Sequence, residues 1–188
     1  MGLYDEDRAD IQASLAGDGG AYERLIKRYE ARVAAQMWRF TRDPAVCEDL
    51  VQDVFVEAYS SLATYRGDAP FLHWLKRIAT RVGYRHWKKK SREKLLVPLE
   101  NLDEAESRGG PQQPSAAADI LHHLLSRLRP ADRLVMTLIY FEGSSTEEIA
   151  ARMGWSRGRV KMHAYRARKK LREIAERENL AEELGWTR

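Results

Sequence analysis

Between Ser144 and Arg172 the chain reads SSTEEIAARMGWSRGRVKMHAYRARKKLR. No other stretch limits the possible folds so tightly. Ser145 and Glu148 form a capping box, in which the hydroxyl takes a free backbone N–H and the carboxylate reaches back to the cap. Ile149, Ala150 and Met153 follow at helical spacing, and Gly154 suits the left-handed position that ends a helix. Ser156 caps a second helix, whose buried stripe is Val160, Ala164, Ala167 and Leu171. Two short helices joined by a tight glycine-containing turn make a helix-turn-helix. The open side of the second helix carries Arg157, Arg159, Lys161, Arg166, Arg168, Lys169, Lys170 and Arg172, and no acid interrupts the run from Ser156 to Arg172. A solvated basic face would explain the charge alone. The caps, the turn and the small buried residues together favour a recognition helix, which presents its N-terminal side chains to base edges while flanking cations hold phosphates.

The rest of the chain reads as helices as well. A first helix is expected over residues 5–16, with Ala9, Ile11 or Ala13, and Leu15 on its apolar side; Gly-Asp-Gly-Gly at 17–20 breaks it. A second is expected from Ala21 to Arg42 on Tyr22, Leu25, Ile26, Tyr29, Val33, Met37, Trp38 and Phe40. Asp43-Pro44 stops and restarts the chain, Asp43 as cap and Pro44 in the first turn. The third helix, to about Ala63, turns Val46, Leu50, Val54, Phe55, Ala58 and Leu62 inward. Glu48, Asp49, Gln52, Asp53 and Glu57 are left on its other faces as a largely acidic surface. Tyr65–Pro70 is a loop. A fourth helix, about Phe71 to Arg92, buries Leu72, Leu75, Ile78, Ala79 and Val82. Its other faces interleave Trp74, Tyr84 and Trp87 with Lys76, Arg77, Arg81, Arg85 and Lys88. Rings among cations suit single-stranded nucleic acid, because bases stack on the rings and phosphates meet the cations. Phe71 and Trp74 serve equally well as core aromatics.

Charge divides the chain further. The net charge is only +4, but Arg81–Lys94 holds seven bases and one acid, whereas Leu95–Asp119 holds five acids and one base. Val97–Ser115 is rich in Pro, Gly and Gln without an apolar period, as expected of a flexible linker. Beyond it, Ile120, Leu121, Leu124, Leu125 and Leu128 give one amphipathic helix. Leu134, Val135, Leu138 and Ile139 give another after Pro130. The expected fold is therefore all-α: two small helical domains joined by a flexible acidic linker, the second a four-helix domain with the helix-turn-helix. The boundaries are 1–95, 96–118, 119–175, and a tail of unassigned role at 176–188. Two basic blocks separated by an acidic spacer suggest two contacts with a polyanion.

Other chemistry finds no support. Cys47 is the sole cysteine, so an internal disulfide or cysteine-cluster metal site is excluded. The five histidines show no metal-ligand spacing, and no phosphate-cradling glycine loop or nucleophile elbow occurs. Neither catalysis nor a cofactor is expected. No apolar run approaches the ~20 residues that span a bilayer, and the acidic start MGLYDEDRAD has no signal-peptide pattern; a cytoplasmic protein without membrane contact is expected.

Two segments together resemble a known family. Cys47–Ala79, CEDLVQDVFVEAYSSLATYRGDAPFLHWLKRIA, and Leu125–Arg172, LSRLRPADRLVMTLIYFEGSSTEEIAARMGWSRGRVKMHAYRARKKLR, are similar in order and spacing to the two domains of extracytoplasmic-function (ECF) sigma factors of the sigma-70 family. The resemblance implies a factor that binds core RNA polymerase (β′ and β subunits), brings it to promoter DNA and assists melting. It implies that Glu48, Asp49, Gln52, Asp53 and Glu57 dock on the β′ subunit. It implies that Tyr65, Arg66, Gly67, Asp68 and Phe71 form the loop that captures an unstacked base of the −10 element. Trp74, Arg77 and Arg81 would line the path of that single strand, and Arg85, Lys88 and Lys89 would hold duplex phosphates upstream. Arg157, Gly158, Arg159, Lys161, Met162, Tyr165 and Arg166 would meet the −35 element. An anti-sigma factor is implied as a partner. The chain departs from the family's usual pattern at Arg81, often Asn, at Arg159 in Gly158-Arg159-Val160-Lys161, usually Gly-Thr-Val-Lys, and at the large Trp155. Arg159 could reach a guanine edge or only a phosphate. A helix-turn-helix regulator that does not bind polymerase is the competing reading; duplex DNA would repel its acidic Asp49–Glu57 face.

Overall fold

Capping side chains fix the starts of four helices. In the computed structural model, which describes residues 3–96 and 116–178, the chain is all-α. It divides into two compact units, Met1–Pro111 and Gln112–Arg188. The expected linker at Val97–Ser115 and the last ten residues lie outside the described residues.

The first unit holds α1 (Leu3–Leu15), α2 (Gly19–Met37), α3 (Pro44–Ser61), a 3₁₀ turn (Leu62–Thr64) and α4 (Phe71–Leu96). Asp18 caps α2 by accepting from the N–H groups of Gly20 and Ala21, and Asp43 caps α3 by accepting from those of Ala45 and Val46. The core between α2, α3 and α4 is built from Leu25, Val33, Met37, Leu50, Val54, Ala58, Leu75, Ile78, Ala79 and Val82, all buried. Two polar clasps cross it. The Tyr22 hydroxyl donates to the Phe55 carbonyl at 2.6 Å, and Gln36 Nε2 donates to Thr80 Oγ1 at 3.0 Å.

Three expectations for the first unit are corrected. The first concerns α1, which has no continuous apolar stripe: Ile11 is buried, but Leu15 is 50% exposed. Asp7, Asp10 and Ser14 fill the inner side instead. Arg28 donates to Asp7 at 2.7 Å and to Asp10 at 2.9 Å, Arg24 donates to Asp10 at 2.8 Å, and the Tyr29 hydroxyl bonds Asp7. Buried carboxylates persist only with such partners. Second, α2 stops at Met37, not Arg42. The chain turns there so that Phe40 packs against α4, and the Phe40 N–H bonds back to the Met37 carbonyl at 2.7 Å. Third, Trp87 does not join the exposed cation face. It is 4% exposed, its Nε1 donates to the Phe40 carbonyl at 2.7 Å, and the two rings lie 4.5 Å apart. Gly83 makes the arrangement possible, since a Cβ there would sit 2.4 Å from the Phe40 ring.

The second unit holds α5 (Ala116–Ser126), α6 (Pro130–Glu142), α7 (Thr146–Met153) and α8 (Arg157–Arg177). Leu134, Val135, Leu138, Ile149, Val160, Ala164 and Ile174 are buried together with a cluster of Leu125, Leu128, Met136 and Ala167, against which Leu171 packs. Leu121, expected to face inward, is exposed. The helix-turn-helix forms as its residues dictate. Ser145 and Glu148 make the full capping box, Gly154 takes φ +66°, and Ser156 Oγ accepts from the Arg159 N–H. The backbone hydrogen bond at Ser145 holds the Glu148 carboxyl below its usual range.

Candidate nucleic-acid interface

Helix α8 separates its packing side from its open side. Val160, Ala164, Ala167 and Ile174 are buried, whereas Arg157, Gly158, Arg159, Lys161, Met162, Tyr165 and Arg166 are all exposed. Met162 is 46% exposed and Tyr165 67%, so the open side mixes cations with apolar surface able to touch base methyls and sugar. The cations are not equally available. Arg157 pairs with Glu147, Lys170 with Glu173 at 3.6 Å, and Arg168 Nε donates to the Tyr140 hydroxyl at 3.3 Å. Arg159 lies over the Trp155 ring, its guanidinium carbon 4.4 Å from the centroid.

The start of α8 is anchored from below. His163 Nδ1 bonds the buried Asp132 Oδ1 at 2.7 Å, and Asp132 Oδ2 accepts from Arg129 Nε at 3.0 Å. Arg152 and Glu142 form a further ion pair with little exposure, which ties α7 to the end of α6.

In the first unit, the Tyr65–Pro70 loop and the first turns of α4 enclose a pocket of about 410 Å³. It brings together seven of the residues expected there: Tyr65, Arg66, Gly67, Asp68, Trp74, Arg77 and Arg81. Thr64, His73 and Ile78 also line it. Gly67 has φ +78°, a backbone conformation that favours a residue without Cβ. The Tyr65 hydroxyl donates to the Ala69 carbonyl at 2.6 Å and closes the loop. Three arginines against one acid make the rim cationic.

Of its two readings, Phe71 takes that of a core aromatic and not that of a base-contacting loop residue. It is 2% exposed and lies beneath the loop, with Tyr29, Tyr65 and Trp74 at centroid distances of 5.6, 5.5 and 5.4 Å. It supports the pocket from the core, and a base could not stack on it. Trp74 is half-buried, 5.6 Å from Tyr65, with one flank on the pocket. Arg85, Lys88 and Lys89 lie further along α4, outside this pocket. Lys88 sits over the Tyr84 ring at 5.7 Å; Lys89 is 4.0 Å from Glu93 and lines a smaller cleft with Thr41, Arg42 and His86. Arg85 pairs with Glu57, which joins a residue expected to hold DNA to one expected to meet polymerase.

On α3, Glu48, Asp49, Gln52 and Asp53 are exposed, and Glu57 is half-buried. Val56, 65% exposed, and Tyr59 extend this face with apolar surface that the charge pattern did not reveal. The signal was the spacing: Asp49, Gln52, Asp53 and Val56 recur at three and four residues. Among the described residues no cluster of His, Cys, Asp and Glu could hold a metal ion, and no helix is long and apolar enough to cross a membrane.

The chain is similar to known proteins over most of its length. Residues 25–93 match Sigma-70 region 2, and residues 118–171 match Sigma-70, region 4. The ECF RNA polymerase sigma-E factor of Escherichia coli K12 is 30% identical over 175 residues, covering 86% of this chain and 90% of that protein. The chain belongs to the ECF sigma factors. The RNA polymerase sigma-H factor of Pseudomonas aeruginosa is 28% identical over 180 residues, covering 89% of this chain and 93% of the other. Among solved structures, CnrH in complex with the cytosolic domain of CnrY aligns with a TM-score of 0.57 at 25% identity, over 91% of this chain and 97% of that one. The sigma factor RpoE, in complex with the anti-sigma factor NepR from Bartonella quintana, shares the fold with a TM-score of 0.59 at 23% identity, over 82% and 96%. The protein is an alternative sigma factor. In it the loop pocket falls within the region 2 match, and α8 falls largely within the region 4 match.

Proposed function

We propose that this sigma factor binds core RNA polymerase through the exposed face of α3, reads the −35 element with α8, and receives an unstacked −10 base in the pocket beneath the Tyr65–Pro70 loop. The observation that carries the reading is the open side of α8, cationic and acid-free through its first four turns. A duplex groove lined by phosphates is the natural complement of such a surface.

The loop pocket supplies the second contact. Extruding a base costs a few kcal/mol, and stacking on an aromatic side chain contributes ~1–3 kcal/mol per base. Trp74 and Tyr65 offer ring surface, and Arg66, Arg77 and Arg81 neutralise the strand that carries the base. Arg85, Lys88 and Lys89 extend the cationic track toward the duplex. Glu48, Asp49, Gln52, Asp53 and Glu57, with Val56 beside them, provide a docking face that DNA repels, and this favours a polymerase-bound factor over a free-standing regulator. RNA synthesis is then the polymerase's chemistry, and this chain contributes recognition within the cytoplasm. An anti-sigma factor that covers these same surfaces would hold it inactive, a partner class suggested by the complex of the sigma factor RpoE with the anti-sigma factor NepR.

Reconstitution tests the reading. Purified protein and core polymerase are expected to form a one-to-one complex and to give run-off transcripts from a subset of candidate promoters. Failure to bind core, or duplex binding by the protein alone at undiminished strength, would overturn it.

A further inference from the structure

We propose that Trp155 is a positioning residue for sequence readout: its indole face holds the Arg159 guanidinium so that the donor fork meets a guanine in the upstream promoter element. The proposal rests on the reading that α8 enters the −35 groove.

Four observations carry it. Arg159 lies in the first turn of α8, where a recognition helix presents side chains to base edges. Its guanidinium carbon lies over the Trp155 ring, 4.4 Å from the centroid. Among the described residues no carboxylate pairs with it, whereas Arg157 two residues earlier is held by Glu147. The platform itself is fixed. Trp155 is half-buried, its backbone N–H donates to the Ala150 carbonyl at 2.9 Å, and its ring lies 5.3 Å from His163, which Asp132 anchors to α6.

Stacking occupies the face of a guanidinium and leaves its edge donors free. That edge is the planar fork that matches guanine O6 and N7. An unsupported arginine at the groove mouth would swing between phosphates and carry no sequence information. Trp155 thus converts a charge into a base contact. The large residue in the turn and the arginine two positions into the helix act as one device.

The test uses holoenzyme assembled from core polymerase and the full chain, and a duplex library randomised over the upstream contact region. Bound and unbound pools are sequenced at several salt concentrations. Wild type is expected to prefer G·C at one position by about 5- to 150-fold, the range of a bidentate pair. Trp155→Leu is expected to erase most of that preference while the salt dependence stays unchanged, because the arginine's charge remains. Arg159→Lys is expected to do the same without touching the turn, so a poorly folded Trp155→Leu would not shield the proposal. Trp155→Phe is expected to keep most of the preference. Retention of the G preference in Trp155→Leu or Arg159→Lys would overturn the proposal. If Arg159→Ala, Lys161→Ala and Arg166→Ala all left duplex binding intact, the −35 reading itself would fall, and the proposal with it.

Discussion

Replacing Gly83 by alanine should unseat the corner that orients the basic half of α4. The added Cβ would lie 2.4 Å from the Phe40 Cγ and Cδ1 and 2.5 Å from Cδ2. Ordinary carbon contacts begin near 3.5 Å, so the ring must move by about 1 Å. It has no free direction: Phe40 is buried, its ring packs on Trp87, and its carbonyl accepts the indole N–H. Overpacking of this kind costs ~1–3 kcal/mol. Alanine also favours the helix over glycine by up to ~1 kcal/mol. The net loss is centred on ~1 kcal/mol and is at most ~2.5 kcal/mol, a factor of about 5 at the centre of the range in the folded-to-unfolded ratio. Urea unfolding of the full chain would show it as a lower midpoint at constant slope. Amide exchange would place the loss in α4 and leave α6 and α8 unchanged. Phe40→Leu in the same chain should recover part of the loss, so that the double variant is less destabilised than the sum of the two single changes. A Gly83→Ala protein as stable as wild type would show that the Phe40–Gly83 contact is not tight, and the reasoning would fail.

Three further outcomes are expected. Arg166→Ala should weaken binding of holoenzyme to upstream duplex and lower the salt slope by about one phosphate contact, ~0.9 in log–log terms; a loss of affinity without a change in slope would assign Arg166 a packing role. Gly158→Ala should fold as well as wild type or better, by up to ~1 kcal/mol, because a Cβ there meets open space within the protein, while duplex affinity falls if the glycine marks close approach of α8 to DNA; thermal melts and binding assays separate the two effects. Cys47 should resist alkylation in the folded protein. Burial pushes its thiol from 9.0 up to about 11, so the folded state disfavours the thiolate, and this contribution to stability is intact below pH 9 and lost as pH rises toward 11. Rapid labelling at pH 8 without denaturant would contradict it.

How far the sequence could be read depended on the range of the interaction. Asp43, Ser145 with Glu148, Gly154 and Ser156 act within three residues, and each formed the cap or turn its type requires. The α8 stripes were legible for the same reason, since helical spacing alone assigns Val160, Ala164 and Ala167 to one side. Long-range partners were not legible. Nothing in the sequence marks Asp7 and Asp10 as inward-facing, because the arginines and tyrosine that satisfy them lie 14 to 22 residues away on α2. Trp74 and Trp87 both stand among cations, yet only Trp74 reaches the pocket. The step of four from Ala79 through Gly83 to Trp87 held the clue, because it continues the buried stripe. Phe71 likewise belongs under the loop, a place set by Tyr29 from another helix.

On α8 the buried core residues Val160, Ala164, Ala167 and Ile174 are separate from outward residues such as Lys161, Met162 and Arg166. Selection, or a protein engineer, can therefore rewrite the outward letters one at a time without loosening the scaffold beneath them. Promoter preference in a protein built this way can drift quickly among paralogues while the fold stays constant, and new specificities should be attainable by exchanging Met162 or Arg166 alone.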